Sequence, residues 1–411
     1  MATDADPMGA DGPAPVSEGA HPDEPHVILT PRGWKRWLSA HPWIFRDDLA
    51  EIHAESGDCA LVIDSRGREV GRGFVSGASK IALRAVMRRP APFDEVTFLE
   101  ERLDRAAARR PRRDGQEAER LVAAEADDLP GLIVDRYADV ISIQHAVPFW
   151  DRRRDLVTAA LRKRYSPKCI IARDDFSARD LEALPRKTEV LYGEPPGPVE
   201  IREGEVRFLV DPQHGQKTGF FLDQRESRER VAKFARGRVL DMFTGDGSFA
   251  IHCARAAADQ VIAVDSSEAA LRRASANAER NGVSAKVTVQ RGMAFDVLRD
   301  FHKNGEQFDL VILDPPAFAK NRGELEAAFR GYTEINSRAM RLVAGGGYLA
   351  SFSCSYHMTE ELFGKMIYEA AVDSGRRVQL LERLRQSLDH PIIVTHPESL
   401  YLKGVLLRIE G

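Results

Sequence analysis

Three side chains at the ends of apolar runs carry reactive chemistry in this sequence: Asp241, Asp314 and Cys354. Asp241 lies in the run 239–242, which leads through Phe243-Thr244-Gly245-Asp246-Gly247 into a helix start. Glycines in such a turn let backbone approach a ligand at the switch point of an open parallel sheet. Read literally, Gly245-x-Gly247-x-x-Ala250, with Asp265 downstream, also fits a dinucleotide fingerprint. Asp241 favours S-adenosylmethionine instead, because a carboxylate there can accept from the ammonium of a methionine moiety and would repel a pyrophosphate. Asp265, closing the next strand, would accept from both ribose hydroxyls, with Ser266 beside it. Phe243, Gly245 and Gly247 complete the expected cradle.

The run 308–313 ends in Asp314-Pro315-Pro316-Ala317-Phe318. Two prolines stiffen that loop, the Asp314 carboxylate can take the proton-bearing edge of a base, and Phe318 can stack on it. Alone, this pattern suits methylation of the exocyclic amine of adenine, which needs no covalent step. The following strand changes the assessment, because 345–353 places Cys354 at its carboxyl end beside the same cleft. Carbon 5 of cytosine is a poor nucleophile, and a thiolate that adds to carbon 6 generates an enamine able to take a methyl group from a sulfonium. Cys354 is therefore the candidate nucleophile. The competing reading is a buried structural cysteine, which is how Cys59, Cys169 and Cys253, in apolar surroundings, are read.

The elements that must position these groups divide the chain of 411 residues into several units. Residues 1–25 hold six acids and no Lys or Arg, and lack the apolar content to offset ordering entropy, so they read as a disordered acidic tail. The net charge of -4 becomes +2 without them. Residues 26–92 show short strand-like runs with glycine turns, a small β-barrel. Within it, residues 33–46 interleave Trp34, Trp37 and Trp43 with Lys35 and Arg36, a mixture suited either to nucleic acid or to a small core. Residues 93–198 read as a small α+β unit, with a helical stretch over 93–123. Residues 199–411 alternate strands with helices, which implies a mostly parallel sheet covered on both faces. Arginine clusters at 102–113, 152–154 and 162–164 read as phosphate contacts or solvated faces. No apolar run is long enough for a membrane span, residues 1–25 do not read as a signal peptide, and four scattered cysteines indicate neither disulfides nor a metal site; a cytoplasmic address is expected.

Several motifs resemble those of the I-type large-subunit ribosomal RNA methyltransferases. They are His41-Pro42-Trp43-Ile44-Phe45, the segment 125–137, Gly215-Gln216-Lys217-Thr218-Gly219 running on through Arg225, Asp314 to Phe318, Phe352-Ser353-Cys354-Ser355, Asp389-His390-Pro391 and Tyr401-Leu402-Lys403-Gly404. The resemblance, spanning 26–408, implies an N-terminal PUA domain, a central α+β domain and a C-terminal class I methyltransferase domain with a Rossmann-like sheet. It also implies 5-methylcytosine formation in 23S ribosomal RNA with S-adenosylmethionine as donor, and leaves a homodimer open. On that pattern the segment 220–225 closes over the cofactor, making Asp223 and Arg225 its neighbours and Lys217 a contact for phosphate or carboxylate. Where the pattern has an acid for the adenine amine, this chain has Met293, and Asp296 is the carboxylate three residues on. No second cysteine accompanies Asp314, so release of an adduct needs water or another base. Amino-group methylation of adenine, a nicotinamide-dependent oxidoreductase and a noncatalytic RNA-binding or assembly protein are the remaining alternatives.

Overall fold

The computed structural model describes residues 24–110, 114–318 and 322–410; most of the acidic tail, and Arg112 and Arg113 of the first arginine cluster, lie outside them. The N-terminal unit is a six-stranded sheet of β1 (His26–Leu29), β2 (Trp43–Phe45), β3 (Leu49–His53), β4 (Cys59–Ile63), β5 (Glu69–Val75) and β6 (Ile81–Met87), in the order β2-β6-β5-β4-β1-β3. The tryptophan segment forms α1 (Pro31–Leu38), capped by the Thr30 hydroxyl accepting from Gly33 N–H, before it enters β2. Trp37 is core, and Arg36 is spent on Asp48 at 2.8 Å and on the Phe45 ring.

The central unit holds α2 (Glu95–Ala108), β7 (Ala118–Ala123), β8 (Leu132–Tyr137), β9 (Val140–His145), α3 (Pro148–Asp151), α4 (Arg154–Tyr165), β10 (Cys169–Asp174) and β11 (Lys187–Tyr192), in the order β11-β10-β9-β8-β7. The helix expected over 93–123 stops at Ala108, and 118–123 is instead a strand antiparallel to β8. Helix propensity in that arginine-rich stretch loses there to cross-strand pairing and to burial of Leu121 and Val122. Phe74 of β5 stacks on Phe149 at 3.7 Å and meets Trp150 edge-on, so the first two units share a core.

A hairpin, β12 (Val199–Glu203) and β13 (Val206–Val210), leads into the C-terminal unit. That unit runs α5 (Arg225–Ala232), β14 (Gly237–Met242), α6 (Ser248–Arg255), β15 (Ala258–Asp265), α7 (Glu268–Arg280), β16 (Val287–Arg291), α8 (Ala294–Lys303), β17 (Phe308–Leu313), α9 (Leu325–Leu342), β18 (Val343–Ser353), α10 (Glu360–Ser374), β19 (Arg377–Arg385) and β20 (Lys403–Glu410). Strand order is β16-β15-β14-β17-β18-β20-β19, parallel except that β20 runs antiparallel to both neighbours. Alternate residues of each strand enter different cores: Val239, Ile312 and Phe352 pack on one face, Leu240, Leu313 and Leu349 on the other. The reversal at β14 puts the carboxyl ends of β14 and β17 at the switch point. Gly404 permits the insertion of β20, because a Cβ there would lie 2.5 Å from the Phe352 ring.

Buried ion pairs brace the C-terminal unit, and one of them is tied to the central unit by a backbone N–H. Glu203 at the end of β12 receives Arg228 of α5 and His252 of α6, and Asp389 receives Arg225 and the Arg120 N–H. Burial alone would raise the Glu203 carboxyl, but Arg228 and His252 pull it down to about 2. Removing one partner from such a pair typically costs about 3–5 kcal/mol, since a buried charge is stranded.

Candidate active site

Asp241 ends β14 almost wholly buried, one Oδ2 accepting from the Thr244 hydroxyl at 2.5 Å and from the Ala250 N–H at 3.0 Å. Phe243, next but one, holds φ +64°, a left-handed conformation that costs a non-glycine residue on the order of 1–3 kcal/mol. Gly245 and Gly247 follow, also at positive φ, and at Gly247 a side chain would press on Ala274 of α7. The turn is pinned by Asp265, which accepts from Gly245 N–H at 3.0 Å and Ser267 N–H at 2.8 Å. Each Asp265 oxygen keeps a further acceptor position, and Ser266 beside it is exposed. Burial raises the Asp241 carboxyl to about 7, the hydrogen bonds from Thr244 and Ala250 hold it down, and the neighbouring Asp314 and Asp265 push it further up. Among the described residues Asp241 has no ion-pair partner.

One strand over, Asp314 follows β17 and faces a second group of charges. Burial and the Asp223 carboxylate raise it to about 7, against the opposing pull of Lys217, Gln224 and Arg228. Lys217 donates to Asp223 Oδ2 at 2.6 Å, the Tyr401 hydroxyl donates to the same oxygen at 2.9 Å, and the buried Asp223 Oδ1 has no partner. The loop bearing Lys217 is fixed by the central unit: Thr218 donates to Asp135 and shares a hydrogen bond with the Tyr137 hydroxyl.

Cys354 stands half-buried just beyond β18. Its thiol is raised above the ordinary 9.0 by burial and by Asp314 and Asp223, while Lys217 and Lys403 favour the thiolate. Lys403, opposite Ser353 in the β18–β20 register, is buried and donates to the Ser355 carbonyl at 2.7 Å and the Tyr401 carbonyl at 2.8 Å. Burial lowers its ammonium to about 8. Phe318 stacks on Tyr332 at 4.4 Å, whose hydroxyl donates to the Pro316 carbonyl at 3.4 Å, so Tyr332 of α9 carries the Asp314 loop.

The structure thus brings Asp314, Asp223, Lys217 and Cys354 into mutual electrostatic reach and sets Asp241 and Asp265 beside them. It leaves others elsewhere. Asp296 sits in the first turn of α8, exposed and paired with Arg299 at 2.8 Å, and Met293 is exposed. Arg225 is buried, its guanidinium spent on Asp389 and the Ala118 carbonyl. Lys35 is exposed on α1, and Trp43 turns inward to donate to Glu125 at 3.0 Å. Most of the arginine clusters are consumed internally: Arg110 by Asp127, Arg153 by Glu95, Arg154 by Asp151 and Asp174, Arg164 by Asp104. Tyr332, Tyr401 and Lys403 were not singled out from sequence as site residues. Their contacts join segments tens of residues apart, and the family resemblance, which includes Tyr401 to Gly404, pointed to Tyr401 and Lys403 but not to Tyr332.

A family model of S-adenosylmethionine-dependent methyltransferases matches residues 182–407, and a PUA-like domain model matches 27–88. Ribosomal RNA large subunit methyltransferase I of Aeromonas hydrophila is 41% identical over 91% of this chain and 96% of its own length, and that of Escherichia coli O157:H7 is 37% identical over 93% and 99%. The chain belongs to the ribosomal RNA large subunit methyltransferase I family. Its cofactor is S-adenosylmethionine, and its fold joins a PUA-like N-terminal domain to a C-terminal methyltransferase domain. Two solved structures share that fold over 93% of this chain and 99% of their own. One is described as a methyltransferase complexed with SAH, with TM-score 0.82 at 20% identity, and one as a SAM-dependent methyltransferase from Streptococcus mutans, with TM-score 0.80 at 19%.

For this family member the charges around Cys354 make opposite demands on its thiol, and they can be separated. Lys217→Met should move the pH midpoint of Cys354 alkylation by iodoacetamide upward, and Asp314→Asn should move it downward, as followed by peptide mass spectrometry. Equal midpoints in the two variants would contradict the arrangement.

Proposed function

We propose that the protein methylates carbon 5 of a cytosine in 23S ribosomal RNA, in the cytoplasm, with Cys354 as covalent nucleophile. The observation that carries this reading is a thiol at the carboxyl end of β18, between two lysines and the Asp314 loop, in a methyltransferase of this family. Methylation of an amine would need no such thiol. The curated relatives' name supports large-subunit ribosomal RNA as the substrate.

The residues present fit the cofactor. A buried carboxylate that faces two further acids, with no cation paired to it among the described residues, suits a ligand bearing positive charge. Asp241 would receive the ammonium, Asp265 and Ser266 the ribose, and Phe243, Gly245 and Gly247 the close backbone approach. The unpartnered Asp223 Oδ1 and the segment before α5 would border it. Arg225 acts on this segment through Asp389, as a positioning residue. Asp296 is the carboxylate nearest in sequence to Met293 for the adenine amine. When bound, S-adenosylmethionine supplies an electrophilic methyl group on a sulfonium.

The target cytosine, unstacked into the pocket, would lie against Phe318 with Asp314 on its polar edge. The Cys354 thiol gives up its proton to solvent, favoured by the Lys217 and Lys403 ammonium groups, and its sulfur bonds to carbon 6. Asp314, near 7, can supply a proton to ring nitrogen 3 as the electrons of the 5,6 double bond become available at carbon 5. Carbon 5 takes the methyl group and loses its proton to a base, the carbon–sulfur bond to Cys354 breaks with the electron pair returning to sulfur, and ring nitrogen 3 gives its proton back to Asp314 to restore the ring. Lys35, Trp43 and Lys217 would contact RNA.

Two results test this function. Nucleoside mass spectrometry of 23S ribosomal RNA after incubation with labelled cofactor should find label in 5-methylcytosine. That label should vanish with Cys354→Ala, while cofactor binding persists; label in an N-methylated adenine that survives the substitution would overturn it. Cofactor affinity should also rise with pH, by up to about tenfold per unit between pH 5.5 and 7, because the ammonium needs ionised Asp241 and binding must expel its proton. Calorimetry in buffers of different ionisation enthalpy reads that proton release, and Asp241→Asn should abolish it.

A further inference from the structure

A cavity of about 240 Å³ lies where all three units meet, walled by Trp43 from the N-terminal sheet, Glu125 from the central unit, and Tyr356, His396, Glu398 and Tyr401 from the methyltransferase domain. It is smaller than the roughly 300–1,000 Å³ that takes a drug-sized ligand. The cavity adjoins the reactive centre through its own walls. Tyr356 is two residues beyond Cys354, a span of at most about 7 Å along the chain, and Tyr401 donates to Asp223.

His396 lines this cavity at 5% exposure, yet neither ring nitrogen has a hydrogen-bond partner. Nε2 lies 3.7 Å from Glu398 Oε2, beyond hydrogen-bond distance. Burial lowers its pKa, so near neutrality the ring offers one donor and one acceptor, both unused. Around it, Trp43 meets the imidazole edge-on at 4.8 Å, His41 at 5.5 Å, and Tyr356 is 56% exposed. Aromatic faces beside an unsatisfied donor–acceptor pair match a nucleobase, which presents a π-face and a hydrogen-bonding edge. Glu125 meets Arg84 at 3.6 Å and Glu398 meets His41 at 3.1 Å, and each carboxylate keeps acceptor positions for a base's amino or imino hydrogens.

We infer that this three-domain pocket receives one unstacked base of the RNA, a neighbour of the target nucleotide. The assignment rests on RNA being the substrate but not on the chemistry at Cys354. It gives the N-terminal domain a direct part in presenting the substrate, since Trp43 is one wall.

Titration of the full-length protein with adenosine, guanosine, cytidine and uridine, read by tryptophan fluorescence, tests it. At least one nucleoside should quench saturably, and the quench should disappear in Trp43→Phe. It should weaken in His396→Gln and in Tyr356→Ala, whose exposed ring makes it a substitution that keeps the fold, checked by circular dichroism. With 23S ribosomal RNA, both latter variants should raise KM about 5- to 150-fold, the range expected for losing one base–aromatic stack, with the Kd for S-adenosylmethionine at the wild-type value. No saturable quench by any nucleoside, or quench and KM unchanged in both variants, would overturn the assignment. Cys354→Ala should bind nucleosides like wild type, so a failure of the covalent mechanism and a failure of this pocket give different results.

Discussion

Two carboxylates, one buried and one half-buried, at the ends of adjacent parallel strands set the terms for this molecule. Asp241 and Asp314 each settle near 7 because burial and neighbouring acids penalise their charge more than local hydrogen bonds and Lys217 relieve it. Parallel pairing of β14 with β17 forces the two together, and the reversal of strand order at β14 opens the cleft in front of them. Such a site carries an electrostatic deficit that a cationic ligand offsets. S-adenosylmethionine meets it with two positive groups, whereas a pyrophosphate would deepen it.

The thiol feels the same field. Acids on the cofactor side oppose ionisation of Cys354, and Lys217 and Lys403, delivered by distant segments, favour it. Each lysine depends on another part of the fold. Lys217 rides on a loop held by Asp135 and Tyr137 of the central unit, and Lys403 is presented by the inserted strand β20 with Gly404 fitting under Phe352. The central unit therefore acts on the charges around Cys354 through structure, by holding the loop that carries Lys217.

Much of this was legible in the sequence where the physics is local. Apolar runs ending in Asp241, Asp265, Asp314 and Cys354 identified the parallel strands and the side chains at their ends, because a strand buried on both faces must be apolar until it reaches the cleft. Charge clusters misled for the converse reason: the partners of Arg110, Arg154 and Arg164 lie on other elements, and a sequence does not display them. The strand β7 was hidden inside an arginine-rich stretch with helical propensity. Lys403, Tyr401 and Tyr332 act through pairings that only the completed sheet creates. His396 carried no periodic or motif signal, and its unused nitrogens emerge only from the packing of three units.

The central claim is that a covalent bond forms between Cys354 and carbon 6 of the target base. Substrate RNA carrying 5-fluorocytosine in place of cytosine tests it most directly, because fluorine at carbon 5 cannot leave as a proton does. Incubation with S-adenosylmethionine should yield a denaturation-resistant protein–RNA complex, with mass spectrometry placing the nucleotide on Cys354. Methyl transfer to the natural RNA combined with no trapped complex, or a complex on another residue, would contradict the account.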